Sequence, residues 1–121
     1  MNKRVLLIDD DTQIRSMVRT ALEHANYDVI EASNGLDGLK LAQENEFNCI
    51  ITDLKMPQMD GLELISELNK LPNVKDCPVV AFSSVTQDYV KEEVAKKGAT
   101  KLLIKGEATP TELVETISSL T

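Results

Sequence analysis

Groups that would announce many chemistries are scarce in this chain. Of its 121 residues, one is histidine and two are cysteine. His24 sits in a helical stretch with no cysteine or second histidine beside it, so it reads as a helix-surface residue, not a ligand. Cys49 and Cys77 form no Cys-x-x-Cys, and each adjoins an apolar run. They read as reduced, buried, space-filling thiols. Cations are in the minority: 13 Lys and Arg against 20 Asp and Glu leave a formal net charge of −7. That balance argues against nucleic acid as a direct partner, because binding phosphate backbones calls for clustered Lys and Arg. No run approaches the roughly 20 apolar residues of a membrane span. The opening Met1-Asn2-Lys3-Arg4 leads into a short segment that acidic residues cut off, without the apolar core of a secretory signal. A cytoplasmic protein with no membrane insertion is expected.

What is present suits one globular domain over residues 1–121. The length can bury a core without disulfides or structural metal, and 42% hydrophobic with 27% charged residues is ordinary for such a domain. Five short apolar runs read as strands: Val5 to Ile8, Val29 to Ala32 with Glu31 inside it, Cys49 to Thr52, Val79 to Phe82, and Leu102 to Ile104. Helical periodicity fills the intervals. Ile14, Met17, Val18, Ala21, Leu22 and Ala25 form one apolar stripe. Leu36, Leu39 and Ala42 mark a second helix. Asp60-Gly61-Leu62-Glu63 reads as the capped start of a third, which carries Leu64, Ile65, Leu68 and Leu71. Gly98 after Lys96-Lys97 suits the stop of a fourth. Thr109-Pro110-Thr111-Glu112 combines a cap, proline at the first helical position and Glu three residues after the cap, opening a fifth with Leu113, Val114, Ile117 and Leu120. The stretch 72–76 reads as a loop. Strict alternation with short connections implies an α/β fold, a parallel sheet covered by helices on both faces.

The chemistry gathers where the strands end. Asp9-Asp10-Asp11 follows the first run, Asp53 the third, Ser83-Ser84 the fourth and Lys105 the fifth, and in a parallel sheet all these sites share one edge. Ligands of open α/β sheets bind outside the carboxyl ends of the strands, where strand order reverses. If the order is 2-1-3-4-5, Asp9, Asp10 and Asp53 converge there, with Ser83 and Lys105 closing the pocket. Acidic residues after a strand are often only helix caps or solvated charges, and Asp11 or Thr12 is expected to cap the first helix. The joint placement is what favours a site. Three adjacent carboxylates raise one another's pKa, and a divalent cation with a preference for oxygen would relieve them. Lys105 and Ser83 then supply a fixed charge and a hydroxyl for phosphoryl oxygens.

Together these residues resemble the receiver domain of two-component response regulators, over the whole chain. Ile50-Ile51-Thr52-Asp53-Leu54-Lys55-Met56-Pro57-Gln58-Met59-Asp60-Gly61 matches that family's phosphoacceptor segment, Val5-Leu6-Leu7-Ile8-Asp9-Asp10-Asp11 its acidic-pair strand, and Leu103-Ile104-Lys105 its lysine strand. The resemblance implies a flavodoxin-like, doubly wound (βα)5 fold. The order 2-1-3-4-5 is that of the family's chemotaxis member and comes with the resemblance. It further implies that Asp53 takes a phosphoryl group from a sensor histidine kinase or a histidine phosphotransfer protein, with Ser83 and Lys105 contacting the acyl phosphate. Mg²⁺, for which Mn²⁺ can substitute, would be held by Asp9, Asp10, Asp53 and the backbone carbonyl of Lys55, Asp9 acting largely through water. Such a protein is a signalling switch that catalyses only its own phosphorylation and dephosphorylation. Phosphorylation adds about −1.5 to −2 charges. Drawing Ser83 inward then repacks the face of the fourth helix, fifth strand and fifth helix, where a downstream protein binds.

Three positions depart from the family pattern. Gly106 follows Lys105 where proline is usual, which removes the residue that makes a cis peptide cheap. Leu102 stands where Tyr or Phe is common, so no rotating aromatic reports the switch. Ser83-Ser84 replaces Ser or Thr followed by a smaller residue. Val85, two positions after Ser83, offers no side-chain hydrogen bond to an attacking water, which suggests slow loss of phosphate. A haloacid dehalogenase-type phosphatase would need Thr or Val where Gln13 stands. A nucleotide or flavin module would need a glycine-rich loop where Asp9-Asp10-Asp11-Thr12 stands. A receiver-like interaction module that is never phosphorylated, or a receiver fragment of a larger regulator or hybrid kinase, are the remaining alternatives.

Overall fold

The computed structural model describes residues 2–85 and 88–121. In chain order the elements are β1 (Arg4–Ile8), α1 (Thr12–His24), β2 (Asp28–Ala32), α2 (Gly35–Glu44), β3 (Cys49–Thr52), α3 (Gly61–Asn69), β4 (Val79–Ser83), α4 (Asp88–Lys97), β5 (Lys101–Ile104) and α5 (Pro110–Leu120). All neighbouring strands pair in parallel, in the order β2-β1-β3-β4-β5. Both the fold class and the strand order are therefore as expected.

Two local expectations need correction. The segment after α3 is not a plain loop, because Pro72–Val74 close a 3-10 turn, for which proline's fixed φ at the first position is suited. Met17, counted in the apolar stripe of α1, is 51% exposed, and Val18 and Leu22 are the residues of that helix that are fully buried. The stripe facing the sheet runs through positions 14, 18 and 22, so Met17 falls at its margin.

Alternation along the strands divides the interior in two. Leu6, Ile8, Ile50, Val79 and Ala81 point to one face, where Leu64, Ile65 and Leu68 of α3 and Val90 and Val94 of α4 cover them. Val5, Leu7, Cys49, Ile51, Val80 and Phe82 point to the other, under Val18 and Leu22 of α1 and Leu113 and Ile117 of α5. Sequence-encoded caps start the helices: Asp11 accepts from the Gln13 and Ile14 N–H groups, Asn34 from Asp37, Asp60 from Glu63, and Thr109 from Glu112. Asp11, not Thr12, is thus the cap of α1, and Asn34 caps α2 at a start for which no cap was foreseen. Gly98 terminates α4 at φ 109°, the left-handed conformation that glycine adopts without strain.

The cysteines are both free; Cys49 is buried but Cys77 only half-buried. Burial, the chief cause in each case, pushes the Cys49 thiol up to about 12 and that of Cys77 up to about 11, so both stay protonated and unreactive near neutrality. His24 ends α1 in an exposed position. Among the described residues no helix is long and apolar enough to cross a membrane.

Candidate functional site

Register sets the geometry of the site. Ile8 and Thr52 are partners across β1 and β3, so the next residues, Asp9 and Asp53, leave the sheet side by side. Each is tied back to a neighbouring strand: the Asp9 N–H donates to the Ala32 carbonyl at 3.1 Å and the Asp53 N–H to that of Ile8 at 2.9 Å. Their side chains face a space shared with Asp10, and ligand-competent oxygens of the three carboxylates lie within 4.8 Å of one another. Asp9 and Asp53 are buried, and Asp10 is exposed.

Lys105 comes from the far side. Starting from β5 its side chain reaches past β4, and Nζ donates to Asp9 Oδ2 at 2.7 Å and to Asp53 Oδ2 at 3.2 Å. The other oxygens are held locally. Asp9 Oδ1 accepts from the Asp11 N–H at 2.9 Å, and Asp53 Oδ1 from the Leu54 N–H at 2.7 Å.

One ammonium among three carboxylates leaves negative charge in excess. For Asp9, burial outweighs the Lys105 and Asp11 hydrogen bonds, and with the repulsion of Asp53 added its carboxyl sits above the usual range. Burial alone would lower the pKa of Lys105, but pairing with Asp9 and Asp53 overcomes it and holds the ammonium above its ordinary value. The cluster therefore keeps its cation firmly and still lacks positive charge. Its donors are all carboxylate oxygens, a set that fits a small hard divalent cation and not a soft metal.

The remaining candidates are placed less directly. Ser83 is the last residue of β4, fully buried, and its hydroxyl accepts from the Val85 N–H at 3.2 Å. It makes no hydrogen bond to Asp53. Lys55 lies in the exposed loop two residues past Asp53. The Lys105 N–H donates to the Ser83 carbonyl at 2.8 Å, which joins the ends of β4 and β5. Beyond it Gly106 has φ 89°, and no described peptide bond is cis.

Sequence reasoning passed over two contributors to this geometry. Gly61, read as part of a helix start and as the last residue of the phosphoacceptor segment, packs so tightly that a Cβ built on it would stand 2.3 Å from the Asp53 carbonyl oxygen and 2.5 Å from Leu54 Cα. The Gly61 N–H also donates to the Leu54 carbonyl at 2.8 Å. Arg15, given no role on sequence grounds, donates to the Asp9 carbonyl at 2.7 Å. The Asp-Gly pair before α3 was the available signal for the first, and Glu31 inside a strand for the second.

The chain as a whole is similar to known proteins. The model of the response regulator receiver domain matches residues 5–118. The transcriptional regulatory protein SrrA of Staphylococcus aureus is 31% identical over 99% of this chain and 48% of its own length, so the chain spans about half the length of the curated relatives it matches. Among solved structures, the chemotaxis protein CheY4 of Vibrio cholerae is 32% identical and covers all of both chains at a TM-score of 0.93. A response regulator protein from Burkholderia pseudomallei, determined with a phosphorylated aspartic acid, a calcium ion and citrate, is 28% identical over 98% of this chain and 66% of its own, at a TM-score of 0.83. The chain belongs to the response regulator receiver domain family of two-component systems.

Proposed function

We propose that this protein is a phosphorylation switch in which the Asp53 carboxylate accepts a phosphoryl group from a phosphohistidine on a sensor histidine kinase or a histidine phosphotransfer protein. The observation that carries the reading is the convergence of Asp9, Asp10 and Asp53 with Lys105 at the ends of three strands. An oxygen of Asp53 bonds to phosphorus as the phosphorus–nitrogen bond breaks, and the histidine nitrogen keeps the electron pair. Lys105, already at Asp53 Oδ2, is placed to hold a phosphoryl oxygen as charge moves onto it.

Receiver domains bind Mg²⁺ at an acidic pocket, and here Asp9, Asp10, Asp53 and the Lys55 carbonyl would hold it, Asp9 largely through water. Mn²⁺, with the same preference for oxygen, would substitute. When bound, the ion supplies charge neutralisation at the phosphoryl oxygens. The protein acts on no other substrate and works in the cytoplasm. Without side-chain hydrogen bonding, Val85 leaves an attacking water unassisted, in keeping with a long-lived phosphate.

The output follows from Ser83. Its hydroxyl is already buried and accepts from the Val85 N–H, which leaves its own O–H to donate to a phosphoryl oxygen on Asp53. Turning that hydroxyl towards the phosphoryl group carries the bonded Val85 N–H with it and shifts the chain just after β4. The partner-binding face of α4, β5 and α5 then repacks. Any such shift is limited by the differential interaction with the two states, about 5.5 kcal/mol for a near-complete reversal.

Incubation with acetyl phosphate and Mg²⁺, read by intact mass, tests the reading. One phosphoryl group should appear on the wild type, none on Asp53→Asn and none after chelation. Equal modification of wild type and Asp53→Asn overturns it.

A further inference from the structure

Glu31 is an acid in the middle of a strand, and what satisfies it leads back to the site. Arg15 Nε donates to Glu31 Oε1 at 3.2 Å while its Nη1 donates to the Asp9 carbonyl at 2.7 Å. Arg19 pairs with the other Glu31 oxygen and reaches Glu23 at 3.4 Å. The Arg15 side chain is 17% exposed and that of Glu31 28%, so this pair is partly shielded, while Arg19 and Glu23 beyond it are exposed.

Resting on the reading that Asp9, Asp10 and Asp53 hold Mg²⁺, we infer that Arg15, locked by Glu31, is a positioning residue for the cation seat. The carbonyl it grips belongs to the planar Asp9–Asp10 peptide, so fixing that oxygen fixes the plane from which Asp10 projects. Asp10 needs such help. Asp9 is held by its N–H, by Oδ1 and by Oδ2, and Asp53 by Leu54 and Lys105. Among the described residues the Asp10 carboxylate has no hydrogen bond, so its direction comes through its backbone. The planar guanidinium serves two acceptors at once with different nitrogens, which an ammonium cannot copy. Glu31 also offsets the Arg15 charge, so the clamp sits behind the seat with little net repulsion of the metal.

A charge role and a positioning role predict opposite signs. If Arg15 mattered only as a nearby cation, Arg15→Gln would bind Mg²⁺ more tightly and Arg15→Lys as well as wild type. As a positioning residue, both variants should bind more weakly, by about tenfold, as for other groups that orient metal ligands. The measurement is an Mg²⁺ titration of the full chain followed by backbone amide NMR, with thermal unfolding recorded alongside. A merely structural Arg15 would lower the unfolding midpoint and leave the affinity of the folded protein unchanged. Weaker binding in both variants supports the inference, and unchanged or tighter binding in either one overturns it. If wild type showed no Mg²⁺ response that Asp53→Asn removes, the functional reading itself would fail, and the inference with it.

Discussion

At the ends of β1 and β3, Asp9 and Asp53 are gripped by backbone, side-chain and close-packing contacts, whereas β5, at the edge of the sheet, is only partly covered. β3 is buried along its length and β1 in all but its first residue; β5 has one exposed and three half-buried residues. Gly61 leaves no room for a methyl group, while a Cβ on Gly106 would meet nothing within 4 Å. The Lys105 side chain, anchored after β5, is bonded to both carboxylates at the ends of β1 and β3. The contrast suits the proposed switch. A site for transfer benefits from preorganised groups, whereas a surface that must change shape draws on the less stable part of a fold.

Core truncation is the largest test of that contrast. Ile51→Ala, at 1% exposure, should cost about 3–4 kcal/mol in denaturant unfolding, within the usual range for such cavities. Leu103→Ala in β5 should cost about half as much. Equal losses would erase the distinction between the halves.

The glycines probe the same difference more finely. Gly61→Ala should destabilise by about 2–3 kcal/mol through overpacking against the Asp53 backbone, and should weaken Mg²⁺ binding as that backbone shifts. Gly106→Ala faces only its positive φ of 89° and should cost about 1 kcal/mol. A larger loss at Gly106 than at Gly61 would reverse the assignment of tight and loose ends.

The smallest expected effect concerns the charge excess. Asp9 has a folded-state pKa above its ordinary 3.8, so protonation favours the folded protein. The contribution is complete below pH 3.8 and is lost as pH rises through the folded value. At neutral pH with a chelator present, Asp9→Asn should therefore unfold a few degrees higher than wild type, and this advantage should shrink towards pH 4. Added Mg²⁺ should narrow the gap by stabilising wild type more. Lys105, raised above 10.5, contributes stability that persists below that pH and fades only as pH climbs through its folded value. A lower midpoint for Asp9→Asn at neutral pH would show that Lys105 alone balances the cluster.

Much of this was legible in advance, for reasons that can be named. Strands surfaced as apolar runs because both faces of the sheet are covered, and α3 and α5 surfaced through Asp60 and Thr109, whose caps act within three residues. Asp9, Asp10, Asp53 and Lys105 were legible as strand-end residues, since parallel strands end on one edge. Met17 was misread because a stripe in sequence does not say which of its margins the sheet covers. That Ser83 is fully buried and accepts from the Val85 N–H was not legible, because burial and that bond are not sequence properties.

By itself the sequence determined the alternation of strands and helices and which chemical groups stand at the strand ends, because periodicity and capping are local. Only the tertiary structure decided that Lys105 bridges Asp9 across 96 residues and Asp53 across 52, that Gly61 tolerates no side chain, and that Glu31 engages the arginine that grips Asp9. These contacts depend on strand order and register, which arise only when segments far apart in the chain pair, and no window of sequence contains both partners.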